Sequence, residues 1–535
     1  MRSNNDALRQ VRHLIIIESP GKISSLTAAL RRSPIDDFHI LATSGHLFEL
    51  PASLVKVGID GELHEYGRTA KWPPLIVQIK HWAQRAGRVL VACDADQEGD
   101  VLACDIAKLL EEVDHKNVAR VRLRSLDNEG VVHAFMHPEP IRYRDAWPGT
   151  ARRILDRLIG STFSARDSSG IDLSVGRVQS AMLGAAASEK IAFGEATIAL
   201  ASSDGKEPFV ATIQVTAENF VEVQELIKHA AQFAREGRCI EFGRSAPAED
   251  FKPWNYGQCI DAISRATARP IDDVSRSLQR LYEAGRMSYP RSDASAVTTQ
   301  ALATIQDMAD QHGVRFDASR VPTFSRQGRH AHESPRILKS NVNITAPLMI
   351  LSDDEAALSL IARHLLACGQ PHAVHLANPA NLPAWAAGLK LERKVCQWLR
   401  PWPRKATETG LRIYPNEEIA LALLLRHKLG RPSTMVFHAM KFASRDLVDA
   451  KGRVSAKGAD WIKRTPALLQ DPKTSQMIEK ILSSSIEQGL HNESPKKLVR
   501  TILESMNLWE EVNSMLKIAD AAQAPINLNF GKQIA

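Results

Sequence analysis

The sequence is poor in cysteine, and its cysteines are not arranged as paired ligands. None of the six cysteines belongs to a CxxC pair, so neither a zinc ribbon nor a disulfide framework is predicted, and free thiols fit a reducing cytoplasm. No stretch approaches the roughly 18 continuous apolar residues of a transmembrane helix, and the polar first residues contain no apolar signal core. We therefore expect neither a signal peptide nor a membrane span. A GxxxxGKS/T phosphate loop is also missing, so no nucleotide-driven step is predicted.

Length and charge narrow the class of protein. The 535 residues are too many for one core and predict about three to five domains. With 44% hydrophobic and 24% charged residues, the chain is typical of a folded protein rather than a disordered one. Its formal net charge of +7 favours a polyanionic partner, although many enzymes that act on small anions are equally basic.

Two short apolar runs have the pattern of buried parallel strands. Residues 13–18 read HLIIIE and residues 88–93 read RVLVAC. The first run ends on Glu18, and Lys22 lies in the SPGK turn that follows. Because α/β sheets place their sites at the carboxyl ends of the strands, this charged pair is a candidate site, with a capped helix entrance as the alternative.

An acidic cluster follows the second run. Asp94, Asp96 and Glu98, with Asp100 nearby, bring four carboxylates into seven residues, where repulsion would raise their pKa values unless a cation intervenes. Hard oxygen ligands on one loop suit Mg²⁺ with retained waters better than Zn²⁺, and a solvated acidic turn is the alternative. The alternation of strands and helices up to about residue 145 predicts a doubly wound α/β domain with this cluster at one edge.

Basic residues mark the next segment. Residues 150–160 predict a helix that carries Arg153 among other arginines, and the motif LSVGRVQS then places Arg177 and Gln179 before a helix of small residues. Free N–H groups at a helix start, together with Arg177, favour phosphate contact. Such a helix can also lie close to another backbone, and the two interpretations are compatible.

The segment LYEAGRMSYPRSD, residues 281–293, is the centre of the functional prediction. A helical pattern ends near Gly285, and Tyr289 is followed by Arg291 and Asp293. A phenol oxygen can attack phosphorus while a guanidinium holds two non-bridging oxygens. Taken alone, a tyrosine close to an arginine is more often a packing pair at a strand end.

Eight motifs, taken in order, resemble those of the type IA DNA topoisomerase family. They are IIIESPGK, SGHLFELP, DADQEGD, ARRILDRLIG, LSVGRVQS, RLYEAGRMSYPRSD, AHE and LGRPST. They span residues 12–465 in the family's order and combine features of its topoisomerase I and topoisomerase III branches, so the branch stays open.

The resemblance implies a fold and an activity. We expect a multidomain α/β and α+β protein in which a Toprim domain joins gate and arch domains in a toroid. The expected reaction cuts one DNA strand through a 5′-phosphotyrosine bond, passes a strand and reseals the break, with Mg²⁺ and without ATP. The substrate would be single-stranded or negatively supercoiled DNA, and the chain would act as a monomer in the bacterial cytoplasm. In a closed structure, the nucleophile should lie close to the acidic cluster.

The resemblance also assigns roles to residues. The nucleophile corresponds to Tyr289, and the other catalytic positions are Arg291, Glu18, Lys22 and His332. The metal-associated carboxylates are Glu18, Asp94, Asp96 and Glu98. The DNA contacts are Arg177, Gln179, His46, Arg153, Asp293 and Ser433.

The motif order predicts six segments. They are a Toprim domain at 1–145, a helical DNA-binding domain at 146–208, an arch at 209–250, a gate with the tyrosine at 251–339, a second arch segment with β-like runs at 340–403, and a second helical segment with the tail at 404–535.

Departures from the family pattern carry expectations of their own. Ala95, Gln97 and Asp100 differ from the family's DPDREGE, and the arginine missing at Gln97 would weaken DNA binding there or alter the metal requirement. Tetracysteine modules are missing and the chain is short for the family, so we expect low processivity. Two alternatives stay open: an impaired relative that binds single-stranded DNA as an accessory protein, and a Toprim nuclease or primase that does not need Tyr289.

Overall fold

The computed structural model describes residues 10–54, 56–167, 170–323, 332–398, 407–487 and 494–523. Within these ranges, the protein has four regions: an N-terminal α/β domain, a helical region, an antiparallel sheet and a group of helices that precedes and follows the candidate tyrosine. None of the helices in these ranges is long and apolar enough to cross a bilayer.

The N-terminal domain alternates strands and helices. Its elements are β1 (Val11–Ile17), α1 (Ile23–Leu30), β2 (Phe38–Ala42), β3 (Phe48–Glu49), β4 (Thr69–Ala70), α2 (Pro73–Ala83), β5 (Ala86–Asp94), α3 (Gln97–Glu111), β6 (Val118–Leu123), α4 (Asn128–Met136) and β7 (Glu139–Pro140). The sheet order is β2-β1-β5-β6-β7, parallel except for β7.

The position of β1 explains its continuous apolar run. Ile15 is paired with Ile40 on one side and Leu90 on the other, and buried side chains pack on both faces of the sheet. The predicted α/β domain is therefore confirmed. Since the carboxyl ends of β1 and β5 are neighbours, Glu18 and the acidic cluster meet at one edge.

The next segment begins the helical region and the antiparallel sheet. It contains α5 (Trp147–Phe163), β8 (Ala165–Asp167), β9 (Gly170–Leu173), α6 (Arg177–Ser188), β10 (Gly194–Leu200), β11 (Phe209–Val215), α7 (Phe220–Arg235) and β12 (Phe242–Pro247). A Cβ on Gly184 in α6 would clash with the carbonyl oxygen of Gln470, which confirms the predicted close approach of this helix to another backbone.

The following segment carries the tyrosine and completes the sheet. It contains α8 (Tyr256–Thr267), α9 (Ile271–Glu283), α10 (Thr299–Gln311), α11 (Asp353–Cys368), β13 (His372–Ala377), β14 (Glu392–Cys396) and β15 (Gly410–Ile413). The sheet order is β12-β13-β14-β11-β10-β15, so β10 and β15 extend it beyond the segments predicted as arch.

The β-like runs expected at 340–403 describe only part of that segment, because α11 occupies its first half. The Ser352 side chain accepts a hydrogen bond from the Glu355 backbone N–H, and three acidic residues in the first turn favour the positive end of the helix. This capping signal outweighs the local β-like composition. The helix packs against α9.

The last segment returns to the helical region. It contains α12 (Asn416–Arg426), α13 (Pro432–Ala443), α14 (Ala456–Arg464), α15 (Ala467–Gln470), α16 (Pro472–Glu487), α17 (Pro495–Ser505) and α18 (Trp509–Gln523). Helix α16 packs on α5 and α6, and α17 and α18 pack on α5. The two arginine-bearing helices are thus covered by the end of the chain.

Candidate active site

Tyr289 lies in a short segment that is bonded to the N-terminal domain through the backbone. Helix α9 is followed by Gly285 in the left-handed conformation, at φ 64°. A Cβ there would lie 2.9 Å from the carbonyl oxygen of Leu126, which explains the glycine. The Tyr289 N–H then donates to the carbonyl of Arg124 at 3.1 Å, next to the carboxyl end of β6.

The phenol of Tyr289 meets the acidic cluster directly. Its residue is only 2% exposed, and its hydroxyl donates to Asp96 Oδ2 at 2.6 Å. The expected closeness of the tyrosine and the cluster is confirmed, although 193 residues separate the two along the chain.

Asp96 also begins α3. Its side chain accepts a hydrogen bond from the Gly99 N–H at 2.8 Å. Burial raises the pKa of Asp96, but the hydrogen bonds from Tyr289 and Gly99 outweigh it and bring the pKa to about 2. Burial and the charge of Asp96 hold the pKa of Tyr289 well above its usual range. In this closed arrangement the tyrosine is a neutral phenol, held by an ionised carboxylate.

A second buried tyrosine donates a hydrogen bond to the neighbouring carboxylate, that of Asp94. Tyr282 is fully buried and donates to Asp94 Oδ1 at 2.8 Å, and Lys22 donates to the same oxygen. The rings of Tyr282 and Tyr289 meet edge to face, with centroids 5.5 Å apart. Tyr282 was not among the site residues predicted from the sequence. The one available signal was its place in the same motif, seven residues before Tyr289.

Glu18 lies among these charges at the end of β1. Burial, and then the negative charge of Asp94, raise the pKa of Glu18 to about 7, with Lys22 opposing the shift. The positive charge of Arg291 lowers the pKa values of Glu18 and Tyr289. A carboxyl with a pKa near neutrality is suited to proton transfer.

Glu98 faces the helical region rather than the tyrosine. Its Oε2 lies 2.9 Å from His46 Nε2, and its Oε1 lies 3.5 Å from Arg431 Nη1. Burial raises the pKa of Glu98, but the hydrogen bond from His46 outweighs burial, so the pKa lies below its usual value. The same hydrogen bond raises the pKa of His46. Two of the predicted residues, His46 and Glu98, thus form a pair.

Asp100, the fourth carboxylate, points away from the others. Its Oδ1 accepts hydrogen bonds from Arg120 Nε at 3.2 Å and Arg122 Nη1 at 2.7 Å, and all three residues are buried. The positive charge that offsets carboxylate repulsion in this part of the loop therefore comes from two arginines on β6.

Gln97 also has a guanidinium beside it. It is buried, and its Oε1 accepts a hydrogen bond from Arg152 Nη1 at 3.0 Å. The same guanidinium binds Glu479 on α16. The loop lacks an arginine at position 97, yet α5 brings one to that place.

His332 lies behind the phenol. Its ring centroid is 4.5 Å from that of Tyr289, and its Nε2 donates to the carbonyl of Ala95 at 3.0 Å. Burial lowers the pKa of His332. A cavity of about 260 Å³ adjoins both rings and is lined on its far side by Arg124 and Arg336 among others.

The predicted DNA contacts on the helical region are already engaged within the protein. Arg177 donates from Nε to Asp156 at 3.0 Å, and Gln179 donates to the carbonyl of His438 at 2.9 Å. Arg153 binds Glu65 through two hydrogen bonds of 2.6 and 2.7 Å.

The two remaining predicted contacts lie in the segment after Tyr289 and in α13. Asp293 is exposed, four residues beyond Tyr289, and Ser433 is partly buried in the first turn of α13. Both therefore retain access to solvent near the site.

Family models match two adjoining stretches of the chain. A model described as Toprim domain matches residues 13–126, and one described as DNA topoisomerase matches residues 141–396. The chain belongs to the type IA DNA topoisomerase family. The predicted fold class is confirmed, and the protein is a topoisomerase of type I.

Two curated topoisomerases and one solved structure are similar to this chain, and each similarity covers a different share of it. DNA topoisomerase 1 of Aquifex aeolicus (strain VF5) is 23% identical over 532 residues, covering 90% of this chain and 96% of that protein. DNA topoisomerase 1 of Campylobacter jejuni is 31% identical over 176 residues, covering 32% of this chain and 24% of that protein. Full-length topoisomerase I from Thermotoga maritima superposes with a TM-score of 0.62 at 19% identity, covering 92% and 89% of the two chains.

The Toprim carboxylates fit a metal site that is completed by water and the substrate. Among the described residues, no three acidic, histidine or cysteine side chains converge as a ready ligand set. Asp94, Asp96 and Glu98 also each have an oxygen engaged by a protein donor. Mg²⁺ is commonly held by one or two carboxylates, water and a substrate phosphate. The carboxylates at the Toprim edge fit a magnesium site of this kind.

Proposed function

We propose that this topoisomerase cuts one DNA strand by attack of Tyr289 on a backbone phosphate, passes a strand through the gap and reseals it. The observation that carries the proposal is the 2.6 Å hydrogen bond from the Tyr289 hydroxyl to Asp96. It supports a phenol positioned beside the acidic cluster, at the junction of the two parts that must separate.

The chemistry follows from the neighbouring side chains. The tyrosine oxygen forms a bond to phosphorus, and the bond from phosphorus to the 3′-oxygen breaks. The phenol proton leaves along the hydrogen bond to Asp96 and, because the pKa of Asp96 is about 2, passes on to solvent. Glu18, with a pKa of about 7, is the candidate donor to the departing 3′-oxygen. Arg291 offsets charge on the phosphate. Resealing reverses each transfer, so no external energy source is needed.

Access requires the closed arrangement to open. Tyr289 is 2% exposed, so a strand cannot reach its oxygen until the gate segment leaves the Toprim edge. The segment must then close on the bound strand, because Asp96 and Glu18 take part in the proton transfers only in the closed arrangement. His332 and Arg291 accompany the tyrosine as candidate phosphate contacts.

Mg²⁺ is the proposed cofactor. One or two of the predicted carboxylates, Glu18, Asp94, Asp96 and Glu98, would hold it together with water and the substrate phosphate, and it would neutralise phosphate charge during transfer. We further propose that the preferred substrate is single-stranded or negatively supercoiled DNA, and that the chain acts as a monomer in a bacterial cytoplasm.

Plasmid relaxation tests the proposal. With Mg²⁺ and no ATP, the natural protein should relax negatively supercoiled DNA and leave a covalent protein–DNA adduct after denaturation. Tyr289→Phe should form no adduct and reduce relaxation by roughly 10⁴-fold or more, while oligonucleotide binding stays within about threefold.

The alternatives give different outcomes in the same assays. DNA binding without cleavage at high Mg²⁺ would favour an accessory role. Nicking that survives Tyr289→Phe would favour a Toprim nuclease. A decatenation assay run in parallel separates the two branches of the family by preferred substrate.

A further inference from the structure

Glu479 on α16 pairs with the guanidinium groups of Arg152 and Arg177, and the charge of Arg431 also acts on it. We name Arg152, Arg177 and Arg431 the arginine cluster. Arg152 donates to both Glu479 oxygens, from Nη2 at 2.9 Å and from Nε at 3.2 Å. Arg177 Nη1 lies 2.8 Å from Glu479 Oε1, and the charge of Arg431 also lowers the pKa of Glu479. One carboxylate is therefore the common anion of the cluster.

The helix that bears Glu479 is firmly placed. Ile478 and Leu482 beside it are fully buried, and α16 packs on the two helices that supply Arg152 and Arg177. The Glu479 side chain nevertheless keeps 18% of its surface exposed. Its carboxylate can thus leave the cluster by side-chain rotation toward solvent, without moving the helix.

The cluster has more donors than Glu479 can satisfy. Within the described residues, Arg177 Nη1 and Arg431 Nη1 are buried and lack a well-aligned hydrogen-bond acceptor. Arg177 Nη1 lies 2.8 Å from Glu479 Oε1, and Arg431 Nη1 lies 3.5 Å from Glu98 Oε1. Buried guanidinium N–H groups without acceptors are costly. A carboxylate offers two oxygens, whereas a phosphodiester offers two charged oxygens and two ester oxygens in a similar fork geometry.

The position of the cluster relates it to the reaction. Arg152 also donates to Gln97 in the acidic loop, and Arg431 reaches toward Glu98. The site therefore adjoins the Toprim edge without including Tyr289.

We infer that the arginine cluster binds one backbone phosphate of the incoming strand, and that Glu479 holds this site while no strand is bound. The inference rests on the proposed function. Strand binding exchanges one anion for another, so the carboxylate competes with DNA.

Fluorescence anisotropy with a labelled single-stranded oligothymidylate tests the competition in the full-length protein. Glu479→Gln should bind about fivefold more tightly than the natural protein. Its affinity should also fall more steeply with salt, because each additional phosphate that the protein neutralises adds about 0.7 to the slope of log affinity against log salt. The matched control is Glu504→Gln, which makes the same charge change at an exposed pair with Arg500 and should change affinity by less than about twofold.

A purely structural role for Glu479 predicts the opposite result. Weaker binding by Glu479→Gln than by the control, or binding equal to the control, would overturn the inference. If Glu479→Gln does not fold, Glu479→Asp decides, because it keeps the charge but shortens the reach. It should still bind more tightly than the natural protein, and weaker or unchanged binding would again overturn the inference.

Failure of the proposed function would appear differently. Binding requires no cleavage, so tighter binding by Glu479→Gln together with no Tyr289 adduct would sustain the phosphate site and reject the topoisomerase chemistry. Normal relaxation with unchanged binding would do the reverse.

Discussion

The Toprim edge carries excess negative charge, and the helical region carries excess positive charge. The charged groups of the two regions are paired with different kinds of side chain. On the Toprim edge, Asp94 and Asp96 accept hydrogen bonds from the buried phenols of Tyr282 and Tyr289. In the helical region, the arginine cluster surrounds the ionised carboxylate of Glu479. Neutral phenols can withdraw without moving net charge, whereas a bound anion leaves a positive site that another anion must fill. The first arrangement suits a gate, and the second suits a strand-binding surface.

The largest effect should come from removing the buried ammonium group on the acidic side. Lys22 is fully buried and binds Asp94. Lys22→Met leaves buried carboxylates without that cation, so the free energy of unfolding should fall by about 3–5 kcal/mol in urea denaturation at neutral pH.

Lys80→Met provides the comparison for Lys22, because Lys80 binds Glu112 near the surface. Its loss should stay below about 1 kcal/mol. Equal losses at the two positions would show that buried ion pairing does not distinguish the acidic side.

Lowering the pH should destabilise the positively charged helical region through His438. Burial lowers the pKa of His438 to about 4, with Arg177 and Arg445 contributing. Because this pKa lies below the ordinary value of 6.5, the unfolded chain binds the proton first as pH falls. Stability is thus full above about pH 6.5 and is lost toward pH 4, by up to about 3 kcal/mol.

Thermal unfolding across that pH range measures the effect. His438→Gln should flatten the acid limb, whereas the same change at exposed His64 should leave it as in the natural protein. An acid limb unchanged in His438→Gln would assign the loss to other groups.

The smallest of these effects concerns the second phenol. Tyr282→Phe removes one hydrogen bond to a buried carboxylate and should lower the free energy of unfolding by about 1.5–3 kcal/mol. It should also reduce the yield of covalent adduct, since Asp94 loses a positioning donor. Tyr143→Phe, which removes a phenol bound to Glu111 nearer the surface, is the matched control and should cost less than about 1 kcal/mol. Equal effects would mean that Tyr282 only fills space.

What the sequence could predict depended on local pattern. The apolar runs ending on Glu18 and Asp94 predict neighbouring parallel strands, and their carboxyl ends do meet. Motif order predicts the approach of Tyr289 to the acidic cluster. The pairing of Tyr282 with Asp94 and of Arg152 with Glu479 was not predictable in this way, because the partners lie 188 and 327 residues apart and neither pairing leaves a periodic signal. The roles assigned to the site residues and the segment boundaries stay predictions.

Gly285 sets how closely the two halves of the enzyme can approach. Its missing side chain leaves a gap into which the carbonyl of Leu126 fits, 2.9 Å from where a methyl carbon would stand. A larger residue at this position would push the Leu126 carbonyl away and displace the segment that carries Tyr289, four residues further along the chain. Under the proposed function, the accuracy with which the Tyr289 oxygen returns to Asp96 after each strand passage therefore depends on the absence of a methyl group at position 285.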